Sequence, residues 1–205
     1  MLPQADQSTN YQVLPVTPDR WEDLESLFGP RGACGGCWCM YWRQTRSEFE
    51  RSLGEENRLA LQALVKSGEI PGLIAYAQSS AEPTPLIPVG WISVAPRTVF
   101  STLQRSRILK PVDDLPVWSI VCFFISKHFR RQRLTTRLIQ AAVSFAGSQG
   151  AQIVEGYPVE PRTGQVPDVF AYTGLPGPFI ESGFVEVARR SETRPIMRYY
   201  VGGER

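Results

Sequence analysis

The sequence has little of what marks membrane proteins, secreted proteins and proteins held to nucleic acid. Its longest uninterrupted apolar run, residues 120–125, is far shorter than the ~20 residues that a membrane helix requires. Its 22 basic and 20 acidic residues give a net charge of +2, which argues against binding to nucleic acid through bulk charge. The first ten residues contain neither a basic nor an apolar segment, so no secretory signal is expected. We therefore expect a cytoplasmic protein that binds neither membranes nor nucleic acid.

Residues that hold metals or form disulfides are also few. The chain has one histidine, His128, and four cysteines, of which Cys34, Cys37 and Cys39 lie close together. A tetrahedral zinc site needs four ligands, and a redox Cys-x-x-Cys pair normally follows a strand and opens a helix. Because neither pattern is complete here, we expect reduced thiols and no metal site.

Alternating strand and helix patterns predict one mixed α/β domain over residues 1–205. The strongest strand pattern is 117–125, which is β-branched and aromatic, as is typical of a strand buried on both faces at the centre of a sheet. A 3.6-residue apolar periodicity predicts a helix over 134–149. The whole order, β-α-α-β-β-β-α-β-α-β-β, predicts a largely antiparallel sheet of six or seven strands flanked by helices.

Hydrogen-bond donors are concentrated in the turn between this strand and this helix. Three guanidinium groups, one amide and two hydroxyls occur within seven positions, at Arg130, Arg131, Gln132, Arg133, Thr135 and Thr136. A helix N-terminus has unpaired N–H groups and the positive end of the helix dipole, and guanidinium groups pair strongly with phosphate. The pattern therefore favours a phosphate site, with a solvated basic turn as the alternative.

Residues 117–146 resemble motif A of the GNAT N-acetyltransferase superfamily. In that family an apolar strand leads through an aromatic–arginine pair into R/Q-x-x-G-x-G/A and a helix; here Phe129–Arg130 matches the pair and 130–135 lies on the motif. The segment 179–184 is similar to the family's Y-x-x-x-G-F near the C-terminus. In element order the resemblance covers roughly residues 70–201.

The resemblance implies an enzyme in which an amine attacks the thioester of acetyl-CoA in a gap beside the central strand. The strand backbone would bind the pantetheine arm, and the turn and the helix would bind the phosphates. The implied acetyl-CoA contacts are Phe123, Phe124, Ile125, Arg130, Arg131, Gln132, Arg133, Leu134, Thr135 and Thr136.

The chain departs from the family pattern at three positions. Arg133 and Thr135 replace the motif glycines, which allow the backbone to approach the pyrophosphate closely. Phe179 replaces the tyrosine that often acts as general acid, and it has no proton to give. Tyr172 is a candidate substitute acid. Candidate carboxylate bases are Glu155 and Glu160, with Asp113 and Asp114 as further acids before the central strand.

The segment 29–45, which we call the cysteine loop, is rich in Gly, Cys and Trp. In the family, the chain between the first two helices often closes over the acceptor pocket, so this loop is a candidate acceptor wall. Its candidate contacts are Cys37, Trp38, Met40, Tyr41 and Trp42. Such a wall would suit an aryl amine or a cationic amine, and the alternative is that these aromatic side chains pack into the core.

Three functions therefore compete. The first is an N-acetyltransferase that acts on an amine of a small molecule or a protein, with acetyl-CoA as co-substrate. The second is a non-catalytic protein of the same fold that binds acyl-CoA or a partner, and the third is a metal-dependent regulatory module built on the cysteine loop. The acceptor and the oligomeric state stay open, with a homodimer as one option.

Overall fold

The computed structural model describes residues 10–78, 86–162 and 171–203. Seven strands in these ranges form one sheet in the order β1-β2-β3-β4-β5-β7-β6. The strands are β1 (Asn10–Pro15), β2 (Gly72–Gln78), β3 (Ile87–Pro96), β4 (Trp118–Ile125), β5 (Ile153–Gly156), β6 (Val185–Arg189) and β7 (Pro195–Tyr200). The predicted sheet and its central strand, β4, are confirmed. The segment 79–85, whose polar and proline-rich sequence predicts a hairpin loop between β2 and β3, lies outside the described residues.

Helices cover both faces of the sheet. They are α1 (Trp21–Phe28), α2 (Arg46–Arg51), α3 (Glu55–Lys66), α4 (Ser101–Arg105), α5 (Leu134–Ser148) and α6 (Pro176–Glu181). α2 begins at a capping box, in which Thr45 and Glu48 satisfy each other's backbone N–H groups. The element order predicted from the sequence has two helices before β2 and none between β3 and β4, whereas the described part of the chain has three and one. In the described ranges, no helix is long and apolar enough to cross a membrane.

The sheet is antiparallel except between β4 and β5. That parallel ladder pairs Trp118 with Val154, Ser119 with Glu155 and Ile120 with Gly156, and it then stops. β4 continues to Ile125, so the second half of this strand remains paired with β3 alone. The two strands therefore stop pairing at the centre of the sheet, and we call the gap the space beside the half of β4 with which β5 does not pair.

The two faces of the sheet have separate cores. One core joins α1 and the cysteine loop to the sheet through side chains such as Trp91 and Cys122. The other core packs α5 and α6 under the sheet and includes Phe123, Leu138 and Phe179. Burial on both faces explains why β4 has a continuous apolar sequence rather than an alternating one.

Phe179 lies against the point where β4 and β5 diverge. Its ring is fully buried and makes edge contacts with the rings of Phe123 and Phe184, at centroid distances of 6.0 and 5.1 Å. The ring occupies the space that a side chain at Gly156 would need, and a Cβ on Gly174 would lie 2.9 Å from it. Two glycines in the sequence are therefore required by one aromatic ring.

The substitution Gly156→Ala tests this packing. The added methyl group would overlap the Phe179 ring, which neighbouring rings hold in place. We expect the free energy of unfolding, measured by urea denaturation, to fall by about 1–3 kcal/mol, as overpacked cores do.

Gly177→Ala is the matched control because an added Cβ there contacts nothing within 4 Å. Gly177 lies in α6, where alanine has the better helix propensity. The control should be neutral or slightly stabilising. Equal losses in the two variants would contradict a specific contact between Phe179 and Gly156.

Candidate functional site

The edge of β4 that faces the gap presents backbone amides. Gly90 pairs with Ile125, and Ser126 N–H donates to Val89 O at 2.9 Å. Because backbone groups alternate along a strand, this ladder turns the amides of Phe123 and Ile125 away from β3 and towards the gap. The amide of Phe124, which pairs with Trp91, faces β3 instead. The sequence analysis predicted backbone contacts to acetyl-CoA at all three of these residues, and in the structure only the amides of Phe123 and Ile125 face the gap.

A carbonyl group already approaches this edge. Phe123 N–H donates to Tyr172 O at 2.7 Å, so the segment around Tyr172 lies beside β4 where β5 has diverged. Beyond it, the Arg130 Nε donates to Ile125 O at 3.1 Å, which fixes the start of the following turn against the end of the strand.

The turn before α5 has an unusual backbone. Arg131 and Arg133 have φ values of +62° and +59°, in the left-handed region that costs a residue with a side chain roughly 1–2 kcal/mol. Arg133 is the N-cap of α5, and the first intrahelical bond runs from Arg137 N–H to Arg133 O at 3.3 Å. The turn therefore keeps at Arg133 a conformation suited to glycine, and three amides at the helix start precede that first bond.

The predicted phosphate residues are brought together, with one carboxylate that the sequence analysis did not single out. Glu181 accepts a hydrogen bond from the Thr136 hydroxyl at 2.9 Å and forms an ion pair with Arg133 at 3.2 Å. Both partners in the ion pair are well exposed, so it contributes little to stability. Gln132 is held by Tyr11 and by the His128 carbonyl, and the Leu134 side chain is buried in the core.

Tyr172 joins the cysteine loop to the gap. Its ring lies 6.5 Å from that of Tyr41 and 6.4 Å from that of Trp42, measured between centroids. Burial raises the pKa of the Tyr172 phenol above its ordinary value, so the phenol stays protonated near neutral pH. Tyr41, Trp42 and Tyr172 form a cluster that we call the aromatic wall.

The rest of the cysteine loop divides between the core and this wall. Trp38 is 6% exposed and packs against Trp21 and Phe28, and Met40 is 5% exposed. Cys37 is partly buried, and burial raises the pKa of its thiol to about 12. Trp38 and Met40 therefore support the loop from inside. Trp42 is also 6% exposed and packs behind the rings of Tyr41 and Tyr172, so only the latter two are partly exposed members of the aromatic wall.

Two thiols from distant parts of the chain meet beneath the site. Cys39 Sγ lies 3.0 Å from Cys122 Sγ, and both residues are buried. Hydrogen bonding to Cys122 and burial raise the pKa of the Cys39 thiol. Over the described ranges, no three metal-ligating side chains come together.

A cation that the sequence analysis did not single out borders the aromatic wall. Arg194, at the start of β7, donates to Thr173 Oγ1 at 3.3 Å. It is close enough to Tyr172 and Tyr41 to interact with both electrostatically. Arg194 is not among the candidate residues of the sequence analysis, because no local pattern indicates that this turn folds back beside residue 172.

Glu155, a predicted base, lies inside a buried network. Its Oε1 accepts from Arg198 Nε at 2.8 Å, and its Oε2 accepts from Tyr157 at 2.6 Å and from Arg97 at 3.4 Å. Arg198 also binds both oxygens of Asp113. Since both oxygens of Glu155 are occupied, we assign it to the support of β5 and not to proton transfer.

Glu160, the other predicted base, lies at the surface. Arg189 pairs with it and also with Glu186. These contacts place Glu160 in a solvent-exposed ion-pair cluster on β6, so it does not enter our proposal for the reaction. Of the three predicted acid–base residues, the contacts leave Tyr172.

Comparisons with known proteins give one family match and several matches to solved structures. A family model described as "Acetyltransferase (GNAT) family" matches residues 37–161. A GNAT-family acetyltransferase from Listeria monocytogenes superimposes with a TM-score of 0.52 at 10% identity, over 93% of this chain and 95% of that one. The PaiA N-acetyltransferase of Thermoplasma acidophilum, solved with coenzyme A, gives 0.47 at 12% identity, over 93% and 99%. No curated protein matched the chain.

At such identities the structural likeness supports the fold, and the family model carries the reaction class. The predicted fold, the predicted family and acetyl transfer from acetyl-CoA are therefore confirmed at the level of the family. The individual site residues stay predictions.

Glu155→Gln and Glu160→Gln form a matched test of the two carboxylates. Removing the charge of Glu155 leaves Arg97 and Arg198 buried with less compensation, so we expect a loss of about 3 kcal/mol in the free energy of unfolding. The exposed Glu160 pair should change it by about 1 kcal/mol or less. A Glu155→Gln variant of undiminished stability that cannot acetylate would instead identify a base.

Proposed function

Because the chain belongs to the acetyltransferase (GNAT) family, we propose that acetyl-CoA lies in the gap between β4 and β5 and that an amine attacks its thioester there. The observation that carries the proposal is the ladder between β4 and β5, which ends after Ile120 and Gly156. Beyond that point Tyr172 O occupies the Phe123 amide and Arg130 occupies the Ile125 carbonyl, so the group that the edge of β4 would offer to an extended chain such as the pantetheine arm is the Ile125 amide.

Acetyl-CoA supplies an activated acetyl group. In the transfer, the amine nitrogen forms a bond to the acetyl carbon and the carbon–sulfur bond breaks. The nitrogen loses one proton and the CoA sulfur gains one, so the products are the acetylated amine and free CoA thiol. The chain's own residues have to hold the thioester, accept the amine as a neutral nucleophile and stabilise the thiolate that leaves.

The turn before α5 would bind the phosphates. Arg131 and Arg133 are exposed, and the amides at the start of α5 precede the first helical bond. The pair between Arg133 and Glu181 is a weak, solvent-exposed contact. A phosphate that forms charge-assisted bonds with Arg133 would replace it with a net gain.

Tyr172 would contribute a hydrogen bond to the leaving sulfur. Its raised pKa makes it a weaker acid than a thiol, whose ordinary value is about 8.5, so full proton transfer to the thiolate is unfavourable. A donated hydrogen bond needs no such transfer. Phe179 is fully buried and has no proton, and both predicted carboxylates are held by arginines, so water is left to accept the proton of the amine.

Replacing Arg130 and Arg133 together by alanine tests the phosphate site. The double variant should lose charge-assisted hydrogen bonds of about 1.5–3 kcal/mol each. We expect the Kd for CoA, measured by isothermal titration calorimetry, to rise about 100-fold or more.

The control is Arg46→Ala with Arg51→Ala, which removes the same charge from α2, an exposed helix away from this turn. This control should bind CoA as the unaltered protein does. Unchanged CoA binding in the Arg130 and Arg133 double variant would refute the phosphate site.

Tyr172→Phe tests the leaving-group contact. Loss of one hydrogen bond should lower kcat by about 10-fold, with the KM for acetyl-CoA unchanged. The assay is loss of thioester absorbance with a panel of primary amines, and the control is Tyr76→Phe, which removes a tyrosine hydroxyl that is hydrogen-bonded to Asp23 and lies outside the aromatic wall.

A fall well beyond the ~100-fold that general acids supply would make Tyr172 a full proton donor, and no change would remove it from the site. Acetyl-CoA binding with no turnover of any amine would identify the chain as a binding protein of this fold.

A further inference from the structure

Arg194 differs in its surroundings from Arg189 and Arg198, the ion-paired arginines of the last two strands. Arg189 and Arg198 each pair with two carboxylates, whereas Arg194 pairs with no carboxylate in the described part of the chain. Its side chain donates to the Thr173 hydroxyl, and the residue is half-buried. Burial lowers the pKa of the guanidinium, and no carboxylate among the described residues compensates for the water that this charge has lost.

A half-buried cation of this kind is a ready site for an anion. Removing a charge from water is unfavourable unless a partner compensates it, and a guanidinium offers two parallel donors to a carboxylate. Because Arg194 is not fully buried, an incoming small molecule can still reach it.

The position of Arg194 connects it to the thioester. Thr173, its hydrogen-bond partner, directly follows Tyr172, whose carbonyl accepts from the Phe123 amide on the gap edge of β4. A Cβ on the next residue, Gly174, would lie 3.1 Å from the Phe123 ring. The guanidinium thus lies one short segment away from the place where the amine attacks.

The aromatic wall defines the remainder of the acceptor. Tyr172 and Tyr41 lie close enough to Arg194 to interact with its charge, and the buried ring of Trp42 packs behind them, with the Tyr41 and Trp42 centroids 5.1 Å apart. Aromatic faces alone would accept either an aryl group or a cation. The charge of Arg194 repels a second cation at this position, so the wall favours a neutral apolar or aromatic group.

We propose that the acceptor is an α-amino acid with an apolar or aromatic side chain, whose carboxylate binds Arg194 and whose side chain packs on the aromatic wall. The inference rests on the proposed function and adds the class of acceptor. The product would be the N-acetylated amino acid together with free CoA.

The test compares L-phenylalanine with L-phenylalaninamide, which lacks the charge of the carboxylate. The two amines differ in basicity, so the informative quantity is the ratio of their kcat/KM values in the unaltered protein divided by the same ratio in Arg194→Gln. We expect this double ratio to be about 10 to 100, because the variant loses a charge-assisted contact to the acid alone. Arg194→Lys should recover part of it.

Arg190→Gln is the matched control. Arg190 lies in the same β6–β7 turn, but its guanidinium donates to the backbone carbonyls of Lys110 and Pro111. Its double ratio should stay near 1. The KM for acetyl-CoA should be the same in all variants, which shows that each retains its fold and its CoA site.

Two results would overturn the inference while leaving the proposed function intact: a double ratio near 1 for Arg194→Gln, or acetylation of amines without a carboxylate but not of phenylalanine. Failure of every amine to react, with acetyl-CoA bound, would overturn the proposed function and this inference with it.

Discussion

The packing of one phenylalanine ring against two glycines underlies the arrangement of the site. Phe179 lies where β4 and β5 diverge, and its ring takes the space that side chains at 156 and 174 would fill. The parallel ladder ends at Gly156, so the strand edge beyond it has the Ile125 amide to offer. A tyrosine, which the family often has at this position, would bring a hydroxyl group here. Phe179 contributes packing instead, and in our proposal Tyr172 supplies the hydrogen bond to the leaving sulfur.

The opposite face of the sheet supports β5 by electrostatic means. Glu155 is 1% exposed and is shared by Arg97 and Arg198, and Tyr157 adds a hydrogen bond. Removing any one charged member of this network would be costly, since it would leave a buried charge without its partner. β5 is therefore held by apolar contacts on one face and by ion pairs on the other, which keeps it rigid beside an open gap.

The sequence was sufficient for the fold because its signals are local. The apolar run of β4, the donor-rich turn and the periodicity of α5 all lie within residues 117–149, and each appears where the pattern predicted it. The partners of Glu155 lie 43 and 58 residues away, and Cys39 meets Cys122 across 83 residues. No local pattern carries such pairings, so the sequence could not indicate that Glu155, a candidate base, lies among buried arginines, nor that Arg194 lies beside Tyr172.

The left-handed backbone at Arg131 and Arg133 also places the chain on a stability–function trade-off. Glycine would adopt these torsion angles without steric cost, yet the chain has arginines there and bears a strain of roughly 1–2 kcal/mol at each. Selection for thermal stability alone would favour glycine at both positions and would thereby discard two guanidinium groups from the helix start. In this molecule the proposed phosphate turn carries two arginine charges at the cost of backbone strain. Replacing Arg131 and Arg133 by glycine would therefore be expected to stabilise the turn and to weaken it as a binding site.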